Sequence, residues 1–370
     1  MIILFPSSTE RVGVAIHVLN LSRLLHEQQL LSYVLCPKEG WLIDQCKSEN
    51  IPYRIVQLSY KPSKLLISSW RLFRELLTAQ SGTILHLHGR FPLFISIFSM
   101  LLNRKISYVV TVHQFSNVGN NGLFDWKERL ETFLLNYLTR IGCVSKGLLL
   151  EVQKKITSKS IQNLFVLPNF INHYEYSTIP YDPVDKKIKI VAIGRLSIEK
   201  GFDILIQAVE YLTQTGTTDI ACAIYGEGPE KNSLSELIDK KNLKEFIFLK
   251  EVKNNDDLRY SLPNYTMLVI PSRSESFGLV ALEAFNAELP VIASNILGLN
   301  EVVRDNETGL LFDAEQPILL AEKIRLMMGT DTPKSQLTRN ALDWFIKYTD
   351  RGKILSEYKK FYAIGAKKDD

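Results

Sequence analysis

Two short segments of the C-terminal half carry charged side chains whose spacing suits chemistry. Arg195 and Lys200 lie in Ile193-Gly194-Arg195-Leu196-Ser197-Ile198-Glu199-Lys200-Gly201, where a β-branched run gives way to a helical pattern. A guanidinium grips phosphate oxygens bidentately and an ammonium adds a compact charge. Gly194 and Gly201 let the backbone turn sharply, and the N-terminus of the following helix attracts anions. The competing reading is an ordinary strand-to-helix loop with two solvated cations. Glu275 and Glu283 lie in Pro271-Ser272-Arg273-Ser274-Glu275-Ser276-Phe277-Gly278-Leu279-Val280-Ala281-Leu282-Glu283-Ala284. Here a strand ends at Pro271 and a helix opens near Gly278, which frees the N–H groups of Phe277, Gly278 and Leu279 to face an anion. Ionised carboxylates only accept hydrogen bonds, which suits sugar or ribose hydroxyls. The alternative is a capping turn with Glu283 in solvent. Tyr225-Gly226-Glu227-Gly228-Pro229 is a third such turn, with proline suited to the first helical position. The dinucleotide fingerprint G-x-G-x-x-G is incomplete there, because position 231 is Lys.

His113 follows Val110-Thr111-Val112 at the carboxyl end of an expected strand. From its setting it is either a ligand contact or a hydrogen-bonded residue beneath a loop. His86 and His88, on the preceding strand end, read as structural. Cys36, Cys46, Cys143 and Cys222 make no C-x-x-C pair and sit in apolar runs. They read as packing residues of a protein in a reducing compartment, not as a disulfide framework or a zinc site.

Holding these groups requires strands that end where the loops begin. In the front half, strands are expected at 2–5, 31–36, 53–57, 83–87, 107–112, 140–144 and 164–167, with helical patterns near 14–28, 41–50, 64–79, 91–102, 125–139 and 146–156. A second series predicts strands at 188–194, 220–225, 246–249, 267–270 and 291–293, with helices near 202–214, 229–241, 255–262, 278–287 and 316–328. Continuous apolar strands separated by amphipathic helices mean parallel sheets covered on both faces. The expected architecture is therefore α/β, with two doubly wound parallel-sheet domains facing each other across a cleft. Ligands of such sheets bind outside the carboxyl ends of the strands.

A chain of 370 residues fits two domains, at roughly 150 residues each. With 46% hydrophobic and 23% charged residues, a disordered or collagen-like chain is excluded. The net charge of +4 hides an asymmetry: residues 1–173 carry +9 and residues 174–370 carry −5. A basic front half suits an anionic partner, either membrane lipid or a phosphorylated substrate. The positive charges are dispersed and lack an RNA-binding or zinc-finger signature, which argues against nucleic acid. No targeting segment is read at Met1–Phe5, and the most lipid-like stretch, 91–102, is shorter than the roughly 20 residues a spanning helix needs. The expected location is cytoplasmic, with contact at the inner face of the cytoplasmic membrane as an alternative.

Taken in order, these segments resemble the retaining glycosyltransferases of family 4, which have the GT-B fold of two Rossmann-like domains. The resemblance covers nearly the whole chain and is densest from Gly194 to Phe312. It rests on the G-R-L…K-G loop, the G-x-G-P turn and the E-x7-E pair, then on Pro290-Val291, Gly298-Leu299-Asn300-Glu301-Val302 and Asn306-Glu307-Thr308-Gly309-Leu310. It implies a nucleotide-sugar donor held by the second domain, a UDP-sugar or alternatively a GDP-sugar, with no cofactor and no metal. Arg195 and Lys200 would neutralise the leaving diphosphate, and Glu283 would bind the ribose. Glu275 would bind the transferred sugar beside the amides of Phe277, Gly278 and Leu279. Gly194, Gly226 and Gly228 would lie near the nucleotide, His113 would contact the donor sugar, and Gly13 would let the backbone approach the donor phosphates. The implied acceptor is a hydroxyl of an envelope, capsular or exopolysaccharide glycan, or its lipid carrier. A catalytically silent nucleotide-sugar-binding protein, or an epimerase or phosphorylase sharing the fold, is the alternative.

Three positions depart from the family pattern: Val12 replaces a glycine before Gly13, Lys250 one after Leu249, and Glu288 one before Leu289-Pro290. The acceptor side is sparsely marked. Residues 116–122 are rich in Asn and Gly and suit a mobile loop. Residues 64–74 form a basic amphipathic helix that either lies on a membrane or, as such stripes more often do, faces a core. The resemblance further implies that the last helix, separated from its predecessor by a break near 349, returns to the first domain. The expected division is thus 1–173 plus 351–370 as acceptor-side domain, 174–187 as linker, and 188–350 as donor-binding domain.

Overall fold

The structure is a computed structural model that describes residues 1–59, 61–114, 126–176, 188–252, 255–329 and 334–364. The expected loop at 116–122, most of the linker and the residues after 364 lie outside the described residues. The chain divides into two compact units: Met1–Ile171 with the chain from Asp350 onward, and Asn172–Thr349.

The first unit alternates β1 (Ile2–Pro6), α1 (Gly13–Glu27), β2 (Leu31–Cys36), α2 (Trp41–Ser48), β3 (Tyr53–Ile55), α3 (Leu65–Leu76), β4 (Thr83–His88), α4 (Arg90–Ile95), α5 (Ile97–Leu102), β5 (Ile106–Val112), α6 (Trp126–Leu135), β6 (Ile141–Cys143), α7 (Lys146–Gln153), α8 (Ser158–Ile161) and β7 (Leu164–Val166). Its seven strands run parallel in the order β3-β2-β1-β4-β5-β6-β7. The second unit holds β8 (Ile188–Ile193), α9 (Phe202–Gln214), β9 (Ile220–Tyr225), α10 (Lys231–Lys240), β10 (Ile247–Lys250), α11 (Asn255–Ser261), β11 (Met267–Ile270), α12 (Leu279–Asn286), β12 (Val291–Ser294), α13 (Leu299–Val302), β13 (Leu310–Phe312), α14 (Pro317–Met328) and α15 (Lys334–Tyr348). Its six strands are again parallel, ordered β10-β9-β8-β11-β12-β13. Both sheets are Rossmann-like. Strand order reverses beside β1 and beside β8, so loops leaving β1 and β4, or β8 and β11, meet at a switch point where ligands of such sheets bind.

Periodicity located the central strands because they are buried on both faces; every residue of β1 and of β11 is buried. Four of the local differences from expectation have a visible cause. The helix expected over 91–102 is two helices, since the Ser96 and Ser99 hydroxyls turn back to the carbonyls of Pro92 and Ser96 at 2.7 and 2.9 Å. α10 begins at Lys231 instead of Pro229, because the Glu230 N–H donates to the Leu196 carbonyl at 2.9 Å. Lys250 extends β10 by pairing with Tyr225. β13 was not foreseen: three residues are too short to show a period, and the strand exists through its pairing with β12.

The last helix, α16 (Arg351–Tyr362), belongs to the first unit. Asp350 caps it, accepting the Lys353 N–H at 2.8 Å. Ile354, Tyr358, Phe361 and Tyr362 are buried in one core with Ile2, Leu4, Val18, Leu21, Val109 and Leu167. Arg140 donates to the terminal carbonyls of Lys360 and Phe361 at 2.8 and 3.1 Å, answering groups that the helix end leaves open.

Candidate functional site

In the second unit the loops after β8 and β11 are tied together. The Arg273 guanidinium holds both Asp203 oxygens at 2.8 and 2.7 Å and the Ile198 carbonyl at 2.9 Å. Its backbone N–H reaches the Glu199 carbonyl at 2.8 Å. Gly201, at φ 63, lies so close to Pro271 that an added Cβ would sit 2.1 Å from the Pro271 carbonyl oxygen. These ties bring Lys200 against Glu275, and the two form an ion pair with side chains 25% and 19% exposed. Arg195 is exposed and has no ion pair among the described residues. Burial alone would raise the Glu199 carboxyl. Its hydrogen bonds to Ser197 and the backbone, with Arg195 and Lys200 nearby, outweigh burial and hold it below the usual range.

The third loop sets the height of the other two. Gly194 and Gly226 stack backbone on backbone: a Cβ at Gly226 would lie 1.8 Å from the Gly194 carbonyl oxygen. Leu196 pairs with Glu227 at 2.9 Å, and an added Cβ at Gly228 would meet Leu196 at 2.3 Å. Gly226 and Gly228 therefore have a steric reason to be glycine before any ligand is considered, whereas a Cβ at Gly194 would meet its neighbours only at 3.4 Å or more.

Phe277, Gly278 and Leu279 lead into α12 with Gly278 at φ 93, and their N–H groups make no backbone hydrogen bond among the described residues. Phe277 is fixed from behind, stacked on Tyr348, which itself stacks on Trp344 of α15 at 5.7 and 4.7 Å between ring centroids. Glu283, one turn into α12, faces Arg259 at 3.8 Å. Glu275 and Glu283 thus each have a separate cation. Sequence reasoning missed Arg259 and the Arg273–Asp203 clamp; Arg273 stands inside the very segment it singled out, but its partner lies 70 residues away.

In the first unit, His113 follows β5 directly and joins a buried cluster. His113 Nε2 and His88 Nδ1 are 3.2 Å apart, and the His17 ring centroid lies 4.8 Å from that of His113. Burial drives all of these imidazoles to the neutral form, His17 down to about 4, with His86, His88 and His113 held well below 6.5. The Asn169 amide oxygen lies 2.9 Å from His17 Nδ1, so the neutral ring donates there and its Nε2 accepts from the Tyr358 hydroxyl at 3.1 Å. Nitrogens of His17, His88 and His113 lie within 4.8 Å of one another. Both nitrogens of His17 are engaged, which leaves two imidazoles, fewer than a tetrahedral zinc site requires. Gly13 opens α1 in an exposed position; Val12 before it is extended at φ −125, a conformation that needs no glycine.

Comparison with known proteins follows the same division of the chain. Residues 12–174 match the family described as Glycosyltransferase Family 4, and residues 180–344 the family described as Glycosyl transferases group 1. An uncharacterized glycosyltransferase of Methanocaldococcus jannaschii is 25% identical over 346 residues, 91% of this chain and 90% of that protein. The poly(ribitol-phosphate) alpha-N-acetylglucosaminyltransferase of Staphylococcus aureus is 24% identical over 255 residues, 69% of this chain and 50% of that one. The crystal structure of Anabaena HepE in complex with UDP-glucose has a TM-score of 0.82 at 17% identity, covering 98% of this chain and 100% of that one. At that identity the likeness is one of fold.

Proposed function

The chain belongs to the glycosyltransferases of group 1 and family 4, and from that premise we propose a retaining transfer of a sugar from a UDP-sugar to a hydroxyl of an envelope or capsular glycan or its lipid carrier. The observation that supports this reading is the Lys200–Glu275 pair beside exposed Arg195, at the carboxyl ends of the two central strands of the second unit. A donor diphosphate takes Lys200 from Glu275, and the released carboxylate then accepts hydrogen bonds from hydroxyls of the sugar. Arg195, Lys200 and the amides of Phe277, Gly278 and Leu279 stabilise charge that grows on the diphosphate as the C1–O bond breaks. The acceptor oxygen attacks the same face of C1, and its proton passes to the departing phosphate oxygen. No protein nucleophile and no metal enters this scheme. Glu283 holds the ribose, while in the first unit His113 is assigned to the donor sugar and Gly13 to its phosphates.

The test is a proton NMR assay of the purified protein with a panel of UDP- and GDP-sugars. The expected result is consumption of one UDP-sugar with product or hydrolysed sugar initially formed in the donor's anomeric configuration, unchanged by chelator. Inverted product rejects retention, and magnesium-rescued loss under chelator rejects metal independence. Donor binding without turnover in the presence of glycan acceptors favours the silent binding protein.

A further inference from the structure

The two carboxylates of the candidate site are paired with cations in different ways. Lys200 and Glu275 leave 25% and 19% of their side-chain surface open, whereas Arg259 and Glu283 leave 11% and 18%. The Arg259 guanidinium, on α11, lies over the Tyr174 ring, 4.0 Å from its centroid. An aromatic face attracts a guanidinium and fixes the plane in which it lies. Tyr174 is held in turn by α12, the helix that carries Glu283. The Asn286 side chain accepts the Tyr174 N–H at 3.3 Å and donates to the Tyr174 carbonyl at 2.9 Å. Asn286 is buried, so opening this clamp would leave polar groups unsatisfied. Glu283 and Asn286 are three residues apart and share one side of α12. A single turn of that helix therefore carries the carboxylate and, through Tyr174, braces the cation that faces it at 3.8 Å.

A ligand meets the two pairs differently. A diphosphate is charged and can draw Lys200 away from Glu275. Ribose hydroxyls are neutral and cannot replace a carboxylate beside a guanidinium without leaving charge unpaired, so the Arg259–Glu283 pair outlasts their binding. We propose that Arg259, braced by Tyr174, is a positioning residue that holds the Glu283 carboxylate in the orientation that selects ribose over deoxyribose. This inference rests on the reading of Glu283 as the ribose acceptor and names what aims it. A carboxylate without its cation turns about its side-chain bonds and must be ordered by the ligand, whereas a fixed one is already ordered for both hydroxyls. The signature is discrimination, because a site built to bond a hydroxyl rejects the analogue that lacks it. The ribose takes no part in bond breaking. Its contact is the same in the ground state and the transition state, so losing it raises KM and leaves kcat in place.

Isothermal titration of the full chain with UDP, GDP and their 2′-deoxy and 3′-deoxy counterparts provides the test. The parent is expected to bind its ribonucleotide about tenfold tighter than at least one deoxy form, the worth of one hydrogen bond to a charged group. Arg259→Gln and Tyr174→Ala should each cut that ratio at least about threefold. Tyr174→Phe, which keeps the ring, should hold the parent's ratio. Donor kinetics of Arg259→Gln should show a raised KM with kcat near the parent's. An arginine that only stabilises the fold would lower the melting temperature and leave the ratio unchanged, which overturns the proposal. A Tyr174→Phe variant as impaired as Tyr174→Ala overturns it too. Glu283→Gln separates this inference from the reading beneath it. A ratio lost in Glu283→Gln but kept in both Arg259→Gln and Tyr174→Ala rejects the positioning role alone. A ratio kept in Glu283→Gln, or a parent that binds neither ribonucleotide better than its deoxy forms, rejects the ribose assignment and this inference with it.

Discussion

Around the switch point of its sheet, the first unit collects four histidines held neutral, three of them buried and His113 partly so, whereas the second sets Lys200 against Glu275 and Arg273 against Asp203 in loops partly open to water. Hydrogen bonds from buried neutral imidazoles lock the surrounding elements together; His17 and His86 bind hydroxyls of α16 in this way, while His88 Nε2 has no partner among the described residues. The Lys200–Glu275 pair keeps about a fifth to a quarter of its side-chain surface open to water, so a ligand can reach it and exchange into it. The first unit spends its histidines on rigidity; in the second, Arg273 and Asp203 hold the loops while Lys200 and Glu275 stay within reach of a ligand.

The largest effect that would test this contrast is removal of residues 351–370. Four large buried side chains leave with α16, a loss of roughly 6–12 kcal/mol against a usual domain stability of 5–15. Hydrogen exchange should show protection lost across β1, β2 and β4 and retained in β8, β9 and β11; loosening confined to the second unit would reverse the assignment.

Acid comes next. The folded pKa of His17 is lowered to about 4 by burial, and those of His86, His88 and His113 are lowered too. Unfolded chains therefore take up protons that the fold refuses, and stability present above pH 6.5 falls as pH drops toward 4, by up to about 1.4 kcal/mol per pH unit for each histidine. Exchange measured at pH 7 and pH 5 should show the first unit opening before the second, whose His173 is exposed. Simultaneous opening would mean that the imidazoles are not the cause.

Arg195→Ala and Lys200→Ala are each expected to lower kcat about 10²–10³-fold, roughly 3–4 kcal/mol of transition-state stabilisation. Their melting temperatures should stay near the parent's, because one side chain is solvent-exposed and the other shares an exchangeable pair. Near-normal turnover in both would remove the diphosphate role. The smallest effect is expected from Gly226→Ala, where a Cβ clashes with the Gly194 backbone: about 1–3 kcal/mol lost from the second unit alone. An unchanged melting profile would show that the stacked loops can part freely.

The two parallel sheets were legible because strands such as Ile220–Tyr225 and Met267–Ile270 are short apolar runs whose local pattern survives without tertiary context. Arg195, Lys200, Glu275 and Glu283 were legible as charged groups beside glycines in strand-to-helix loops. Their pairing was not. Lys200 meets Glu275 only because Arg273 grips Asp203 and Gly201 seats on Pro271, contacts spanning 70 residues or more.

The sequence by itself determined the alternation of strands and helices, the loops that carry charge and the break at Asp350, since burial period, glycine and capping chemistry act over a few residues. Tertiary structure alone decided that β13 exists, that four histidines share one buried cluster, and that α3 shows an apolar face to solvent. Each of these depends on what lies across the sheet or beside the helix. An apolar side chain carries the same residue type whether or not another element arrives to cover it.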